Sequence, residues 1–239
     1  MQKILLLIFF ITGIIQTTAG QERFIDSLRN EYDELYGSDI ILNNGRKYFP
    51  TTTQAKGHPF YSQEGFIGSI TVNGKKFTDQ NLKYEINKQL FLLNYLDRNN
   101  QNCLLILNNA FIDTVRTTDA VFIRNNYTEI RQPFVQQIYD GQLKCLVAIH
   151  KELDFTSMGV NTGYSYSKAL KSYYLVFDGK VYQFSNKASF LKIFPALIKI
   201  PIRTRISQLQ LKFRSIDDKK LNELVEFCDH AMAEKGSTL

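Results

Sequence analysis

Three Asn-Gly or Asp-Gly dipeptides, each lying between stretches of strand-like residues, constrain the fold of this chain more than any other feature of its sequence. They are Asn73-Gly74, Asp140-Gly141 and Asp178-Gly179. Two consecutive residues with positive φ form the type I′ turn that joins neighbouring antiparallel strands, and these dipeptides adopt that conformation readily. Three such turns predict an antiparallel sheet and disfavour a parallel α/β fold.

The residues that follow Asn73-Gly74 show the alternation of a half-buried strand. Leu82, Tyr84 and Ile86 alternate with Lys83 and Glu85. Because successive side chains of a strand point to opposite faces of a sheet, the pattern predicts apolar residues on the core and both charged residues in solvent.

Further apolar runs extend the predicted sheet. The runs at 89–96, 103–107, 110–115 and 120–124 are separated by Asn- and Thr-rich turns and continue a β-meander. The segment 154–168 is rich in Gly, Ser, Asn and Tyr, and this composition predicts an exposed loop.

From residue 185 onwards the apolar residues recur at helical spacing. Phe190, Leu191 and Phe194 predict one helix. Asp217 is a residue type favoured at helix N-caps. A second helical set follows it, formed by Leu221, Leu224, Val225, Cys228 and Met232. These helices are predicted to bury their apolar stripes against the sheet.

The N-terminus has the features of a secretory signal peptide, which we assign to residues 1–20. Lys3 supplies a positive charge, residues 4–15 are largely apolar, and small residues lead to a predicted cleavage near 19–21. An apolar run of about 12 residues is shorter than the ~20 that a membrane-spanning helix needs, so we expect the mature chain to be released. The predicted location is the periplasm, the cell surface or the medium.

The mature chain, residues 21–239, is predicted to form a single α+β domain that is mainly antiparallel β. A short amphipathic helix from Phe24 to Tyr36 precedes a β-meander sheet or open barrel built from strands between positions 45–184. C-terminal helices between positions 185–235 pack on this sheet.

The chain contains three cysteines, Cys103, Cys145 and Cys228. Their odd number and wide spacing exclude a disulfide framework as the main source of stability, although one bridge among the three possible pairings stays open. Cys145 alternates with apolar strand residues and Cys228 lies on the apolar stripe of the last helix. Both are predicted to be buried, unreactive thiols.

No catalytic, metal-binding or cofactor-binding motif stands out. His58, His150 and His230 are scattered, and neither a Gly-x-Ser-x-Gly motif nor a phosphate-binding glycine loop is present. The sequence therefore predicts no cofactor and no metal, and it favours a protein without enzymatic activity. A pair of carboxylates assembled from separate strands would leave no trace in the spacing, so a hydrolase remains an alternative.

The segment 187–216 has an unusual charge distribution, with seven Lys or Arg residues, many apolar residues and no Asp or Glu; the whole chain has a formal net charge of +6. One interpretation is a helical layer with solvated cations. The other is an amphipathic surface that binds anionic lipid or an acidic glycan. Lys199, Arg203 and Arg205 are the candidate contact residues for the second interpretation.

Aromatic residues near the Gly- and Ser-rich segment form a second candidate surface. Tyr164, Tyr166 and Tyr173 could stack on a sugar ring, or they could line a sheet with their hydroxyls in water. We add His58, in the turn around Pro59, as a further candidate ligand contact.

Several short motifs follow one another in a distinctive order along the chain. They are Leu35-Tyr36-Gly37, Asn44-Gly45-Arg46-Lys47-Tyr48, Gly57-His58-Pro59-Phe60, Gly68-Ser69-Ile70, Asn73-Gly74, Leu82-Lys83-Tyr84, Tyr139-Asp140-Gly141 and Tyr173-Tyr174. In this order the chain resembles a family of exported proteins from Bacteroidetes-type bacteria to which no activity is assigned. In that family a Tyr-Asp pair is common where this chain has Tyr84-Glu85. The resemblance implies an envelope location.

These observations favour an exported, non-enzymatic envelope protein that binds a partner or ligand. The expected partner is an envelope protein, a glycan or an anionic lipid surface, and no nucleic acid is expected. Two alternatives are a hydrolase acting on envelope glycan or peptide, and a peripheral membrane protein attached through 187–216.

Overall fold

The computed structural model of the protein describes residues 42, 45–52, 54–96, 101–158 and 161–236. The folded unit that carries nearly all of them spans Gly45–Leu239. The predicted signal peptide and the predicted helix from Phe24 to Tyr36 lie outside the described residues.

Antiparallel strands dominate this unit. They are β1 (Arg46–Lys47), β2 (Phe66–Val72), β3 (Lys75–Glu85), β4 (Leu90–Leu96), β5 (Asn102–Ile106), β6 (Ile112–Arg116), β7 (Val121–Arg124), β8 (Phe134–Asp140), β9 (Lys144–His150), β10 (Leu153–Met158), β11 (Asn161–Tyr166), β12 (Leu170–Phe177) and β13 (Lys180–Phe184). Eleven of them form one open sheet in the order β1-β5-β4-β3-β2-β6-β7-β8-β9-β12-β13, and β10 and β11 pair separately. The predicted fold class, mainly antiparallel β with C-terminal helices, is confirmed.

The large sheet consists of two meanders that meet at β2. Strands β2 to β5 run outward on one side, and the chain then crosses back so that β6 pairs with β2 from the other side. Strands β6 to β9 continue outward from there, and β12 and β13 complete that edge. The predicted meander is thus interrupted by one crossover and by the inserted β10–β11 hairpin.

The sheet is strongly curved around an aromatic core. Five strand spacings separate β4 from β8, about 24 Å in a flat sheet, yet the ring centroids of Phe91 on β4 and Phe134 on β8 are 5.0 Å apart. Tyr84 stacks on Phe91 at 4.2 Å and meets Phe122 edge-on at 5.1 Å. All four rings are buried, so the concave side of the sheet is filled with side chains rather than with solvent.

Two of the three predicted turns have the expected geometry. Asn73 and Gly74 have φ of 49° and 77°, and Asp178 and Gly179 have φ of 49° and 69°, as a type I′ turn requires. The Asp140-Gly141 pair does join β8 to β9, but Gly141 is absent from the positive-φ residues. Glycine is required here because a Cβ would overlap the side chains of Asp229 and Tyr139.

The prediction of an exposed loop at 154–168 is wrong. Strands β10 and β11 form a regular antiparallel hairpin in which Leu153 pairs with Tyr166 and Phe155 with Tyr164. This hairpin is not part of the large sheet, so neither of its faces needs to be continuously apolar. Its polar, Gly-containing sequence therefore lacks the clear alternation of apolar and polar residues that marks a half-buried strand.

Three helices follow the sheet: α1 (Lys187–Lys192), α2 (Ala196–Gln208) and α3 (Asp218–Gly236). The predicted N-cap is confirmed, since the Asp217 carboxylate accepts the Lys220 backbone N–H at 3.0 Å. Helix α3 packs against β8 and β9, and α1 packs against β13, as predicted. Helix α2 instead packs mainly on α3, so it forms an outer layer rather than lying on the sheet.

The second face of the sheet carries its own small core. Val135, Leu146, Ala148 and Tyr174 pack there against Ile130, which belongs to the segment between β7 and β8. Strands β8, β9 and β12 are therefore covered on both faces, which explains the nearly continuous apolar sequence of β9.

The three cysteines are buried and form no disulfide. Burial raises the pKa of Cys145 far above its ordinary value, and it raises the pKa of Cys228 to about 12. Thiols with such pKa values are poor nucleophiles at neutral pH, so the predicted unreactive role of Cys145 and Cys228 agrees with the structure.

Candidate functional site

Helix α2 presents apolar side chains to solvent as well as to the protein. Ile198, Ile202 and Ile206 recur every four residues and are buried. On the opposite side, Leu197 is 76 % exposed and Ile200 is 72 % exposed. We call Leu197, Ile200, Pro201 and Thr204, all of them exposed, the outer face of α2.

The candidate cations of α2 occupy different positions around the helix. Arg203 is exposed and lies one helical turn from Ile200, next to the outer face. Lys199 is half-buried. The Arg205 guanidinium lies 3.7 Å from the Glu223 carboxylate on α3, so its charge is directed toward the protein. The structure therefore places Arg203 beside the outer face, Lys199 at its margin, and Arg205 in the contact between two helices.

The exposure of Leu197 and Ile200 was not predicted, although a signal for it exists in the sequence. Apolar residues occur all around the helix between positions 196–208. A helix at the surface can bury only one side, so part of this apolar set had to face solvent.

The aromatic candidates divide between the surface and the core. Tyr164 is 45 % exposed, and its ring centroid lies 5.0 Å from that of Phe155, which is 57 % exposed. Tyr166 is half-buried on the same strand. Tyr173 does not belong to this surface, because it is 8 % exposed and packs against Phe184. The exposed pair on the β10–β11 hairpin thus contains one predicted tyrosine and one phenylalanine that was not predicted.

His58 holds a loop in place. Its Nδ1 accepts the Phe60 backbone N–H at 3.2 Å, and the Lys151 ammonium donates to the His58 carbonyl at 2.9 Å and to the Phe60 carbonyl at 3.1 Å. Burial and the neighbouring Lys151 charge lower the pKa of His58, so the imidazole is neutral at physiological pH. The structure thus places His58 in a loop contact with Lys151.

The end of β3 contains a buried carboxylate, which contradicts the predicted solvent-facing position of Glu85. Glu85 is 0 % exposed, because residues 59–61 hydrogen-bond to the end of β3 and cover it. Both Glu85 carboxylate oxygens and the Tyr48 hydroxyl are buried close to one another, and no further hydrogen-bond partner for them lies among the described residues. Burial raises the pKa of Glu85, and the neighbouring Lys88 opposes this effect.

Two further findings bear on metal and membrane functions. Among the residues that the structure describes, no group of three or more His, Cys, Asp or Glu side chains is placed to hold a metal ion. In that same part of the chain, no helix is both long enough and apolar enough to cross a membrane.

Comparison with protein-family models, with curated proteins and with solved structures finds no match for this chain. The resemblance to exported Bacteroidetes-type proteins therefore stays a prediction.

Proposed function

We propose that this protein is exported and acts, without catalysis of its own, by binding an anionic membrane surface through the outer face of α2. One observation carries the proposal. Leu197 and Ile200 are about three-quarters exposed on a helix whose surrounding segment, 187–216, contains seven cations and no acidic residue.

The combination of apolar and cationic groups favours lipid over the other polyanions of an envelope. An acidic glycan would attract Arg203 and Lys199, but it has no apolar interior in which Leu197 and Ile200 could be buried. At a bilayer surface, apolar side chains enter the boundary between headgroups and acyl chains while cations contact anionic headgroups. Each cation near such a surface contributes roughly 1 kcal/mol, and this attraction falls off within a Debye length.

The proposal is tested by co-sedimentation of the purified chain with vesicles that contain phosphatidylglycerol, and with vesicles of pure phosphatidylcholine. We expect sedimentation only with the anionic vesicles, and weaker binding at high salt. The double variant Leu197→Ser/Ile200→Ser should lower the partition coefficient about tenfold, because two exposed apolar side chains are lost. Arg203→Glu should lower it by about ten- to thirtyfold through the reversed charge.

Two matched variants control for general effects of exposed apolar and charged residues. Ile67→Ser removes another apolar side chain, which is 59 % exposed on β2, and Lys76→Glu reverses an exposed charge on β3. Both should bind like the wild type. Every variant keeps the apolar N-terminal segment, so binding through that segment would be equal in all of them. Differences in vesicle binding between the α2 variants and the wild type therefore report on α2. Equal binding by the wild type and both α2 variants, or equal binding to neutral vesicles, would contradict the proposal.

Export is tested separately, by fractionating the native host and sequencing the N-terminus of the protein. A mature N-terminus near residues 19–21 in an envelope or secreted fraction supports export. An unprocessed chain in the cytosol contradicts it, whatever the vesicle experiment shows.

A further inference from the structure

The large sheet is open, and its two edge strands differ in length. One edge is β1, which contains 2 residues, and the other is β13, which contains 5. Among the described residues, β13 pairs with β12 alone. A strand at the edge of a sheet presents backbone N–H and C=O groups that can pair with another chain. The β13 edge is therefore the longer of the two backbone surfaces open to a partner.

The hairpin register identifies which backbone groups of β13 point away from β12. Phe177 and Lys180 lie opposite each other across the two-residue turn. In such a turn the flanking residues are hydrogen-bonded to each other, and hydrogen-bonded pairs alternate with non-hydrogen-bonded pairs along an antiparallel ladder. Val181 and Gln183 occupy the non-hydrogen-bonded positions, so their N–H and C=O groups point away from the sheet.

A cavity of about 470 Å³ lies beside the end of this edge, and Gln183 is one of its lining residues. Its walls come from the start of β12, the end of β13 and the segment 213–216 that follows α2. The accessible apolar side chains of the lining include Leu170, which is 42 % exposed, and the half-buried Phe213. The volume falls within the range of protein pockets that hold ligands, about 300–1,000 Å³. It is sufficient for an apolar side chain of a strand that pairs with β13.

The cations around this edge lack carboxylate partners. Arg214 lines the cavity together with Gln183, and Lys180 begins β13. Both are exposed, and neither forms an ion pair with any residue that the structure describes. No Asp or Glu occurs between positions 179 and 216. The edge therefore favours a partner that supplies carboxylates.

The same charges disfavour a second copy of this chain as the partner. Pairing of two β13 strands would bring a second Lys180 and a second Arg214 to an edge that already has two unpaired cations. Like charges on neighbouring strands destabilise their pairing, whereas opposite charges stabilise it. A strand that carries carboxylates satisfies both the backbone groups and the cations.

We infer that the β13 edge binds an extended, acidic segment of a partner protein by strand addition. Backbone groups of the segment pair with Val181 and Gln183, an apolar side chain enters the cavity beside Phe213, and a carboxylate pairs with Arg214. In this mode of recognition main-chain hydrogen bonds provide affinity and side-chain pockets provide specificity. None of these residues belongs to the outer face of α2, so the inference does not depend on membrane binding.

Fluorescence anisotropy of the full chain with labelled peptides tests the inference. The probe is a short peptide of alternating valine and glutamate residues. One control peptide has lysine in place of glutamate, and a second has the probe sequence with N-methylated backbone amides. Both controls should bind at least about tenfold more weakly than the probe, because one reverses the charge and the other removes the main-chain donors. No binding of the probe, or equal binding of either control, would overturn the inference.

Two variants at one position test the backbone contact directly. Gln183→Pro removes an outward N–H that no described group of the protein accepts, and proline is tolerated at such positions of edge strands. It should weaken binding of the probe about tenfold. Gln183→Ala is the matched control, since it keeps the N–H and should bind like the wild type. Equal binding by the two variants contradicts strand addition, and the N-methylated peptide decides the question if Gln183→Pro fails to fold.

Further variants test the charge and the identity of the partner. Arg214→Glu should weaken binding of the probe about tenfold, because attraction is replaced by repulsion. Arg116→Glu reverses another exposed charge, on β6, and should bind like the wild type, as should the Leu197→Ser/Ile200→Ser variant of α2. Equal loss in the two arginine variants contradicts the assigned role of Arg214. Sedimentation equilibrium of the chain alone detects dimers, and a dimer that Gln183→Pro dissociates would overturn the inference by assigning the edge to self-association.

Discussion

Replacing Asp229 on α3 should destabilise the protein more than the loss of any surface carboxylate. Its side chain, which belongs to a residue that is 9 % exposed, accepts three hydrogen bonds from the β8–β9 turn. The donors are the Leu143 backbone N–H at 2.8 Å, the Gln142 backbone N–H at 3.2 Å and the Tyr139 hydroxyl at 3.0 Å. A helix carboxylate thus caps a turn that lies more than 80 residues earlier in the chain.

The expected cost follows from these contacts. A hydrogen bond to a charged group contributes about 1.5–3 kcal/mol, and the three bonds share one carboxylate, so their contributions are not additive. We expect Asp229→Ala to lower the free energy of unfolding by about 4 kcal/mol, because the fully buried Leu143 keeps an N–H that has lost its acceptor. Asp229→Asn retains one acceptor oxygen and should cost about 2 kcal/mol.

Urea denaturation followed by circular dichroism measures these changes. Asp140→Ala is the matched control, since Asp140 lies in the same turn but is exposed and pairs with Lys144 in an ion pair worth less than about 1 kcal/mol. A second measurement is the spectrophotometric titration of Tyr139. Burial and the hydrogen bond to Asp229 raise its pKa to about 12, and Asp229→Ala should bring the value back toward 10.

Gly141 provides a coupled test of the same contact. A Cβ at Gly141 would overlap the Asp229 carboxylate most severely and the Tyr139 side chain less so, which is why glycine occupies a position without positive φ. Gly141→Ala should therefore destabilise the wild type but cost at least about 1 kcal/mol less in the Asp229→Ala background. If Asp229→Ala unfolds at the same urea concentration as Asp140→Ala, or if the Gly141 effect is the same in both backgrounds, the carboxylate does not hold this turn.

Two further predictions concern a buried acid and a helix cap. Because the pKa of Glu85 is raised above its ordinary value of 4.5, the folded protein keeps a proton that the unfolded chain releases, and stability falls as pH rises from that value to the folded pKa. Glu85→Gln should therefore be more stable than the wild type at pH 7 but not at pH 4. Urea denaturation of both proteins at the two pH values measures this difference in the free energy of unfolding. Asn186→Ala removes the capping box with Ser189 at the start of α1 and should cost about 1 kcal/mol in the same assay, whereas Asn186→Asp should cost less.

Local chemistry made most of the strands and helices predictable, with the β10–β11 hairpin as an exception. The Asn73-Gly74 and Asp178-Gly179 turns require only their own backbone conformations, and the Asp217 cap requires only the next turn of helix. Signals of this kind are contained in a few consecutive residues. The order of strands was less predictable. The crossover from β5 to β6 depends on which sheet edge is free to pair, and no short segment of sequence indicates which edge that is.

The polar residues of the interior were not predictable for the same reason. Alternation placed Glu85 with Lys83 in solvent, and only the covering segment at residues 59–61 buries it. Gln136 meets Asp218 across 82 residues, and Leu143 meets Asp229 across 86. Each of these contacts is created by the packing of elements that are distant in sequence, so spacing along the chain carries no sign of it.

Two carboxylates of α3, Asp218 at its start and Asp229 near its middle, contribute differently to stability. At Asp229, backbone N–H groups of the β8–β9 turn donate to both carboxylate oxygens, so removing the carboxylate leaves buried donors without an acceptor and costs stability. At Asp218, Lys171 and Gln136 both donate to the carboxylate, and the Gln136 Oε1 that this contact turns away is buried without a hydrogen-bond donor among the described residues. Gln136→Leu should therefore leave the free energy of unfolding nearly unchanged, because it removes one donor to Asp218 together with a buried acceptor, whereas Asp229→Ala should lower it by about 4 kcal/mol. A large loss of stability in Gln136→Leu would mean that its amide acts as a structural link between β8 and α3, as Asp229 does between α3 and the β8–β9 turn.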